Sequence, residues 1–226
     1  MSYDLIPLVL TLKLAVITTV ILLGIGIPLA YWLSFTKSRL KYPLEALVSM
    51  PMVLPPTVIG FYLLLVLGSK SWLGGLLSSV FHVQVVFSFL GLVVGSVIFS
   101  LPFMVNPLKS GFEHIPRPLI DASETLGKSR WQTLFKVLLP NIKPSLLTGI
   151  VMAFAHTIGE FGVVLMIGGN IPGETKTASI AIFNEVEALD YQTANFYAAV
   201  MLIFSFAILL ALYCTQRKST GNDWSC

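Results

Sequence analysis

Two ionisable side chains, His156 and Glu160, lie four residues apart in a segment that is otherwise almost entirely apolar, with the hydroxyl of Thr157 between them. This spacing predicts that both lie on one helix face, where an imidazole and a carboxyl group can hydrogen-bond, line a polar path or pass a proton. Three interpretations therefore stay open: hydrogen bonding between helices, a gate or path, and a proton relay. Which interpretation applies depends on the helices that carry the two side chains.

The composition indicates a membrane protein. Of the 226 residues, 55% are hydrophobic and 11% are charged, and the mean hydropathy is +0.84; a soluble domain has about 25% charged residues. Cys214 and Cys226 both lie at the C-terminal end, which excludes a disulfide scaffold. The net charge of +3 does not indicate nucleic-acid binding, because the apolar excess dominates the sequence.

Five apolar segments are long enough to cross a ~30 Å hydrocarbon layer as helices, which takes roughly 20 residues each. They cover residues 8–35, 44–68, 87–108, 145–168 and 196–214. Runs that are apolar on every face, such as residues 63–66, exclude the alternating strands of a membrane barrel. The sequence predicts an all-α polytopic membrane protein with one transmembrane domain, residues 1–217, and a cytoplasmic tail, residues 218–226.

The basic residues predict the orientation of these spans. With the N-terminus outside and the C-terminus in the cytoplasm, eleven of the fourteen Lys and Arg residues lie on the cytoplasmic side, as the positive-inside rule requires. In this topology His82 and His114 lie on opposite sides of the membrane. Neither can join His156 in a metal site, so we expect none.

Prolines interrupt the second predicted span. In residues 50–57 (MPMVLPPT), Pro55 and Pro56 lie about 17 Å from the cytoplasmic start of the span. Proline removes a backbone donor and clashes with the preceding turn, so a regular helix cannot pass this point. The break serves either helix packing or a transport path that Thr57 helps to line. The third span leaves the same choice open, with two prolines and the hydroxyl of Ser100.

Two connections on the outer side carry apolar residues at helical spacing. Residues 71–86 predict an amphipathic segment on the outer face, and residues 175–191 predict a short interfacial or re-entrant helix.

The longest cytoplasmic connection, residues 109–143, is predicted to form two helices around Gly127. In the second, an apolar stripe stands at positions i, i+3, i+4 and i+7 outside the bilayer: Trp131, Leu134, Phe135 and Leu138. The stripe packs either beneath the protein's own helices or onto a cytoplasmic subunit. Gly127-Lys128-Ser129 is not the end of a phosphate-binding loop, because that motif requires glycine where Ala122 stands.

The same loop carries a spaced motif, an acidic and two small residues followed by a glycine and a Leu-Pro pair: Asp121, Ala122, Ser123, Gly127, Leu139 and Pro140. In sequence and spacing it resembles the EAA loop of ABC importer permeases, with Asp in place of Glu and Ser in place of the second Ala. That resemblance implies the type I importer permease fold. It also implies that the loop, including Trp131, forms a coupling helix seated on a separate ATPase subunit, which would bind ATP and Mg; this chain would hold no cofactor and would not be an enzyme.

Two further segments narrow the resemblance. Residues 159–162 (GEFG) with 169–175 (GNIPGET), and residues 54–60 (LPPTVIG), are similar to motifs of molybdate and tungstate permeases. Sulfate/thiosulfate permeases share much of this pattern and stay open as an alternative.

The resemblance implies a homodimer in the bacterial cytoplasmic (inner) membrane, with two ATPase subunits inside and an oxyanion-binding protein outside. It implies that substrate crosses by alternating access along a central path. We expect the polar and proline residues of the spans to form that path or its gate: Pro55, Pro56, Thr57, Ser100, His156, Thr157 and Glu160. A proton-coupled secondary transporter that uses His156 and Glu160 remains a further alternative.

Overall fold

The computed structural model describes residues 3–81 and 84–219, and this part of the chain is mostly helical and contains no strand. His82 and residues 220–226 lie outside the described residues. The helices are α1 (Ile6–Phe35), α2 (Lys41–Ser49), α3 (Pro56–Leu67), α4 (Trp72–Phe81), α5 (Phe89–Glu113), α6 (Arg117–Thr125), α7 (Arg130–Thr133), α8 (Leu139–Asn141), α9 (Lys143–Gly159), α10 (Gly162–Gly168), α11 (Ala178–Glu187) and α12 (Tyr191–Ser219). The predicted all-α class is confirmed.

Three helices, α1, α5 and α12, are long and apolar enough to span a membrane without a break, and two bent helix pairs bring the possible number to five. The predicted second span is one of these pairs: α2 continues through a 3-10 turn to Met52, and α3 then departs at 112°. The expectation that no regular helix passes the prolines is therefore confirmed.

The predicted fourth span is also broken, at a place that carries no proline. α9 ends at Gly159, Glu160 is extended (φ −70°, ψ 133°), and α10 begins at Gly162. The second bent pair joins residues 130–141 of the loop to α9 at 83°, so the loop helix turns sharply away from the span that follows it.

α1, α5 and α9 pack against one another and form the centre of the bundle, while α10 packs on α3 and α5. Side chains of α1, α5 and the loop meet in one buried cluster that includes Leu22, Met104 and Leu138. α12 lies at the periphery and contacts α9 and α11, and most of its apolar side chains are exposed. The core of one chain thus comes from α1, α5 and α9, together with α3 and α10, the two helices that begin at the breaks.

The two amphipathic segments predicted for the outer side both contain helices, α4 and α11. α11 is anchored at its start, where the backbone N–H of Ala178 donates to Thr11 Oγ1 at 2.8 Å. Before it, the loop of residues 169–177 is braced by paired amide hydrogen bonds between Asn170 and Asn184, at 3.1 and 3.3 Å.

Candidate functional site

A polar cluster lies between α5 and α9, inside the apolar bundle. The Ser100 hydroxyl is 3.0 Å from Nδ1 of His156 and 3.0 Å from Oγ1 of Thr157. Thr157 in turn donates to the carbonyl of Ala153, one turn earlier in α9, at 2.9 Å. A polar group in lipid requires such partners, and the structure brings together three residues that the sequence placed in two separate spans.

Two phenylalanines hold the His156 ring. Phe103 stacks on it with ring centroids 3.9 Å apart, and Phe99 is tilted against it at 4.9 Å. Both come from α5, one turn apart on the helix that also carries Ser100. The imidazole is therefore fixed by a hydrogen bond at Nδ1 and by aromatic packing, which limits the rotamers it can adopt.

Glu160 does not continue the helix face of His156, contrary to the sequence prediction, because α9 ends one residue before it. Its side chain is 4% exposed, and neither carboxylate oxygen has a hydrogen-bond partner among the described residues. Ser96, also buried, lies close enough on α5 to interact with it. The Glu160 carbonyl freed by the helix break accepts a hydrogen bond from Ser179 Oγ at 2.6 Å.

The two helix breaks meet. A Cβ atom on Gly162, at the start of α10, would lie 2.8 Å from Pro56 Cβ at the start of α3. One turn further along α3, a Cβ atom on Gly60 would lie 2.7 Å from Met166 Cβ in α10. Pro55, Pro56 and Thr57 themselves are exposed on the surface of the single chain. The proposed path residues thus divide into an exposed group at the α3 break and an interior group around His156 and Glu160.

At the other end of the bundle, α6 and α7 are joined by a tight turn. Gly127 has φ +70°, in the left-handed region that favours glycine, and a Cβ atom there would meet nothing within 4 Å. The buried hydroxyl of Ser123 is 2.8 Å from that of Thr133, which ties the two helices together across the turn. Ser129 then caps α7 in a reciprocal capping box with Gln132.

The other residues of the predicted loop motif differ in how far they are exposed to solvent. Asp121, Ala122 and Pro140 are exposed, and Leu139 is partly buried against the core. α7 runs through a π-helical segment (Leu134–Leu138) into α8.

The apolar stripe of the loop has two buried and two exposed side chains. Leu134 and Leu138 are each 1% exposed and pack into the core of the chain. Trp131 and Phe135 stack on each other at a centroid distance of 6.1 Å, and both face solvent, with 62% and 57% of their surface exposed. Aromatic side chains are enriched at the centres of protein–protein interfaces.

Sequence reasoning missed Ser96, Ser179 and the two phenylalanines around His156. Ser96 stands four residues before Ser100, on the same face of a helix, and that spacing was a usable signal. No pattern in the sequence indicated that Ser179, nineteen residues away, would reach the Glu160 carbonyl.

Apolar spans, two of them broken around a polar interior, and a helical loop at one end define an all-α polytopic membrane fold. Among solved structures, this fold is shared by a chain of the bacterial alginate ABC transporter in complex with an alginate pentasaccharide-bound periplasmic protein. The TM-score is 0.77 at 17% identity, over 98% of this chain and 81% of that one. A chain of the inward-facing MetNI methionine ABC transporter matches with a TM-score of 0.71 at 18% identity, over 94% of both chains.

Residues 9–218 match the family of binding-protein-dependent transport system inner membrane components, and the chain belongs to that family. It is 48% identical to the molybdenum transport system permease protein ModB of Azotobacter vinelandii, over 97% of both chains. It is 33% identical to the putative molybdenum transport system permease protein YvgM of Bacillus subtilis, over 95% of this chain and 93% of that one. The sulfate transport system permease protein CysT of Escherichia coli is 32% identical, over 82% of this chain and 68% of that one. The predicted family and fold are confirmed.

Proposed function

We propose that this chain is the membrane-spanning permease subunit of an ATP-driven importer for molybdate or tungstate. The observation that carries the proposal is the 48% identity to a molybdenum transport permease over nearly the full length of both chains. Sulfate is the second candidate cargo, favoured by the similarity to CysT, which is lower and covers less of both proteins.

We propose that the working unit is a homodimer with two cytoplasmic ATPase subunits and an oxyanion-binding protein outside. The periplasmic protein in the alginate transporter complex supports a partner of that kind. The orientation proposed from the basic residues, with the N-terminus outside, places the loop of residues 109–143 in the cytoplasm, where an ATPase is available.

The loop would couple ATP hydrolysis to the membrane helices. Trp131 and Phe135 would enter the ATPase subunit, with Asp121, Ala122 and the Gly127 turn beside them, while Leu134, Leu138 and Leu139 hold the loop to the bundle. The Ser123–Thr133 hydrogen bond ties α6 to α7, so the two helices would move together. A push on the exposed pair would therefore move the buried leucines, and with them α1 and α5.

The path would run beside the exposed α3 break, along Pro55, Pro56 and Thr57. The interior group of Ser100, His156, Thr157 and Glu160 lies behind it and would govern how α9 and α10 move relative to α5. No Arg lies in any of the five predicted spans, whereas a tight site for a tetrahedral dianion requires Arg, Lys or oriented N–H donors. Selectivity would then rest mainly with the binding protein.

The test is tracer uptake in proteoliposomes that contain this chain with its ATPase and binding protein, offered molybdate, tungstate and sulfate in turn. Gly127→Pro cannot adopt φ +70° and should abolish ATP-dependent uptake, whereas Gly127→Asn, which tolerates that region, should retain it. Equal uptake by both variants would contradict the coupling role of the loop. Uptake without the ATPase subunit would contradict the ABC mechanism and direct attention to His156 and Glu160 as a proton route.

A further inference from the structure

A cleft of about 360 Å³ lies where the C-terminal end of α1 meets the loop helices. Tyr31, Trp32 and Phe35 of α1 form one wall, and Glu124 of α6 and Arg130 of α7 form the other. A volume of this size is within the range of small-molecule sites. The Trp131 and Phe135 side chains proposed to meet the ATPase do not line it.

The two charges in the cleft do not satisfy each other. Within the described part of the chain, neither Glu124 nor Arg130 makes an ion pair or a side-chain hydrogen bond. Both residues are exposed in the single chain. One free cation and one free anion thus face the same space, so the cleft complements a ligand that carries both signs of charge.

The cleft also lies at the end of a helix that is longer than the hydrocarbon core of a membrane is thick. α1 has 30 residues and is about 45 Å long, which exceeds a ~30 Å hydrocarbon core. Trp32 and Phe35 are 39% and 37% exposed at its end, as is typical of an interfacial aromatic belt, and the cationic Lys37 and Arg39 follow directly. Exposed apolar residues such as Ile25 continue along α1 toward the bilayer, which gives acyl chains a surface to lie on.

We propose that this cleft binds the phosphoethanolamine headgroup of a membrane phospholipid. Arg130 would hold the phosphate, which its planar fork of N–H donors suits. Glu124 would accept hydrogen bonds from the primary ammonium, beside the aromatic faces of Tyr31 and Trp32, which attract cations. A choline headgroup has no N–H to donate and a glycerol headgroup has no cation, so neither satisfies both walls.

The test is native mass spectrometry of the purified full-length chain with phosphatidylethanolamine, phosphatidylglycerol and phosphatidylcholine of identical acyl chains. The wild-type chain should bind phosphatidylethanolamine about fivefold more tightly than the other two. Arg130→Gln should weaken binding of all three lipids by about tenfold, because each has a phosphate. Glu124→Gln should remove only the preference for ethanolamine. Arg117→Gln and Glu174→Gln, exposed substitutions outside the cleft lining, are the matched controls and should behave as wild type.

Three results would overturn the proposal. The first is equal binding of the three lipids to every variant, which is the behaviour of a non-specific lipid annulus. The second is displacement of the lipid by inorganic phosphate alone, which would make the cleft a simple anion site. The third is a pair of observations: the ATPase subunit displaces the lipid, and Arg130→Gln weakens assembly with that subunit. Together they would make the cleft a contact surface for the ATPase. The readout is lipid occupancy, so it does not depend on which anion the protein transports.

Discussion

The contact between the two helix breaks can be tested with a single methyl group. In Gly162→Ala the new Cβ would lie 2.8 Å from Pro56 Cβ and 3.3 Å from the Thr57 backbone nitrogen. Carbon atoms in contact prefer about 3.5–4.0 Å. The proline ring cannot rotate away, and the second neighbour is backbone, so α3 and α10 must separate by roughly 1 Å.

Overpacking of this kind costs about 1–3 kcal/mol. A chain of this size loses about 2–4 °C in its thermal midpoint for each kcal/mol, so Gly162→Ala should unfold several degrees below wild type. Uptake should fall as well, since the separation displaces the proposed path residues at the start of α3. The assays are thermal unfolding of the purified chain and tracer uptake by the reconstituted complex.

Gly159→Ala is the matched control. It lies three residues earlier at the end of α9, and a Cβ atom there would meet nothing within 4 Å. Alanine in a helix is more stable than glycine by roughly 0.5–1 kcal/mol, so this variant should equal or slightly exceed wild type. Identical midpoints for the two variants would refute the close approach of α3 and α10.

Three further predictions concern the loop and the outer face. Gly127→Val should destabilise the chain by about 1–2 kcal/mol, because a β-branched residue is strained at φ +70°, and Gly127→Asn should cost less; chemical denaturation compares the two. Trp131→Ala should leave the thermal midpoint unchanged but weaken co-purification of the ATPase subunit. Leu134 is 1% exposed, so Leu134→Ala should lower the free energy of unfolding by about 2–5 kcal/mol. Asn184→Ala should cost about 1 kcal/mol, since it removes both amide bonds to Asn170, and Asn184→Asp should keep one of them; hydrogen exchange of residues 169–177 reports the difference.

The sequence predicted those features that depend on local chemistry. Proline chemistry predicted the break before α3, and hydrophobic periodicity predicted α4, α11 and the loop helices. The break at Glu160 was not predicted, because no proline marks it. Its extended backbone is held by tertiary contacts, above all the Ser179 hydroxyl on the Glu160 carbonyl.

The loop shows a second limit of sequence reasoning. The apolar stripe presented a choice between packing on the chain itself and docking onto a partner. In the structure Leu134 and Leu138 pack on the chain, and Trp131 and Phe135 remain exposed. The π-helical segment from Leu134 to Leu138 adds one residue per turn, so the simple i, i+3, i+4, i+7 pattern does not describe which side chains turn inward. Only three-dimensional packing distinguishes buried Leu134 from exposed Phe135.

The exposed break before α3 also bears on how two copies would assemble. Irregular backbone at membrane depth is tolerated only where protein or a water-filled cavity covers it, yet Val53 is 85% exposed and Thr57 is exposed beside it. Lipid offers no hydrogen bond to the Thr57 hydroxyl or to the irregular backbone of the break, whereas the exposed apolar side chains of α12, such as Leu202 and Phe206, are compatible with lipid. The face around Val53 and Thr57 should therefore turn toward a second subunit and a wet path between the two. This asymmetry between the faces of a single chain is an argument for the proposed homodimer that does not depend on the identity of the cargo.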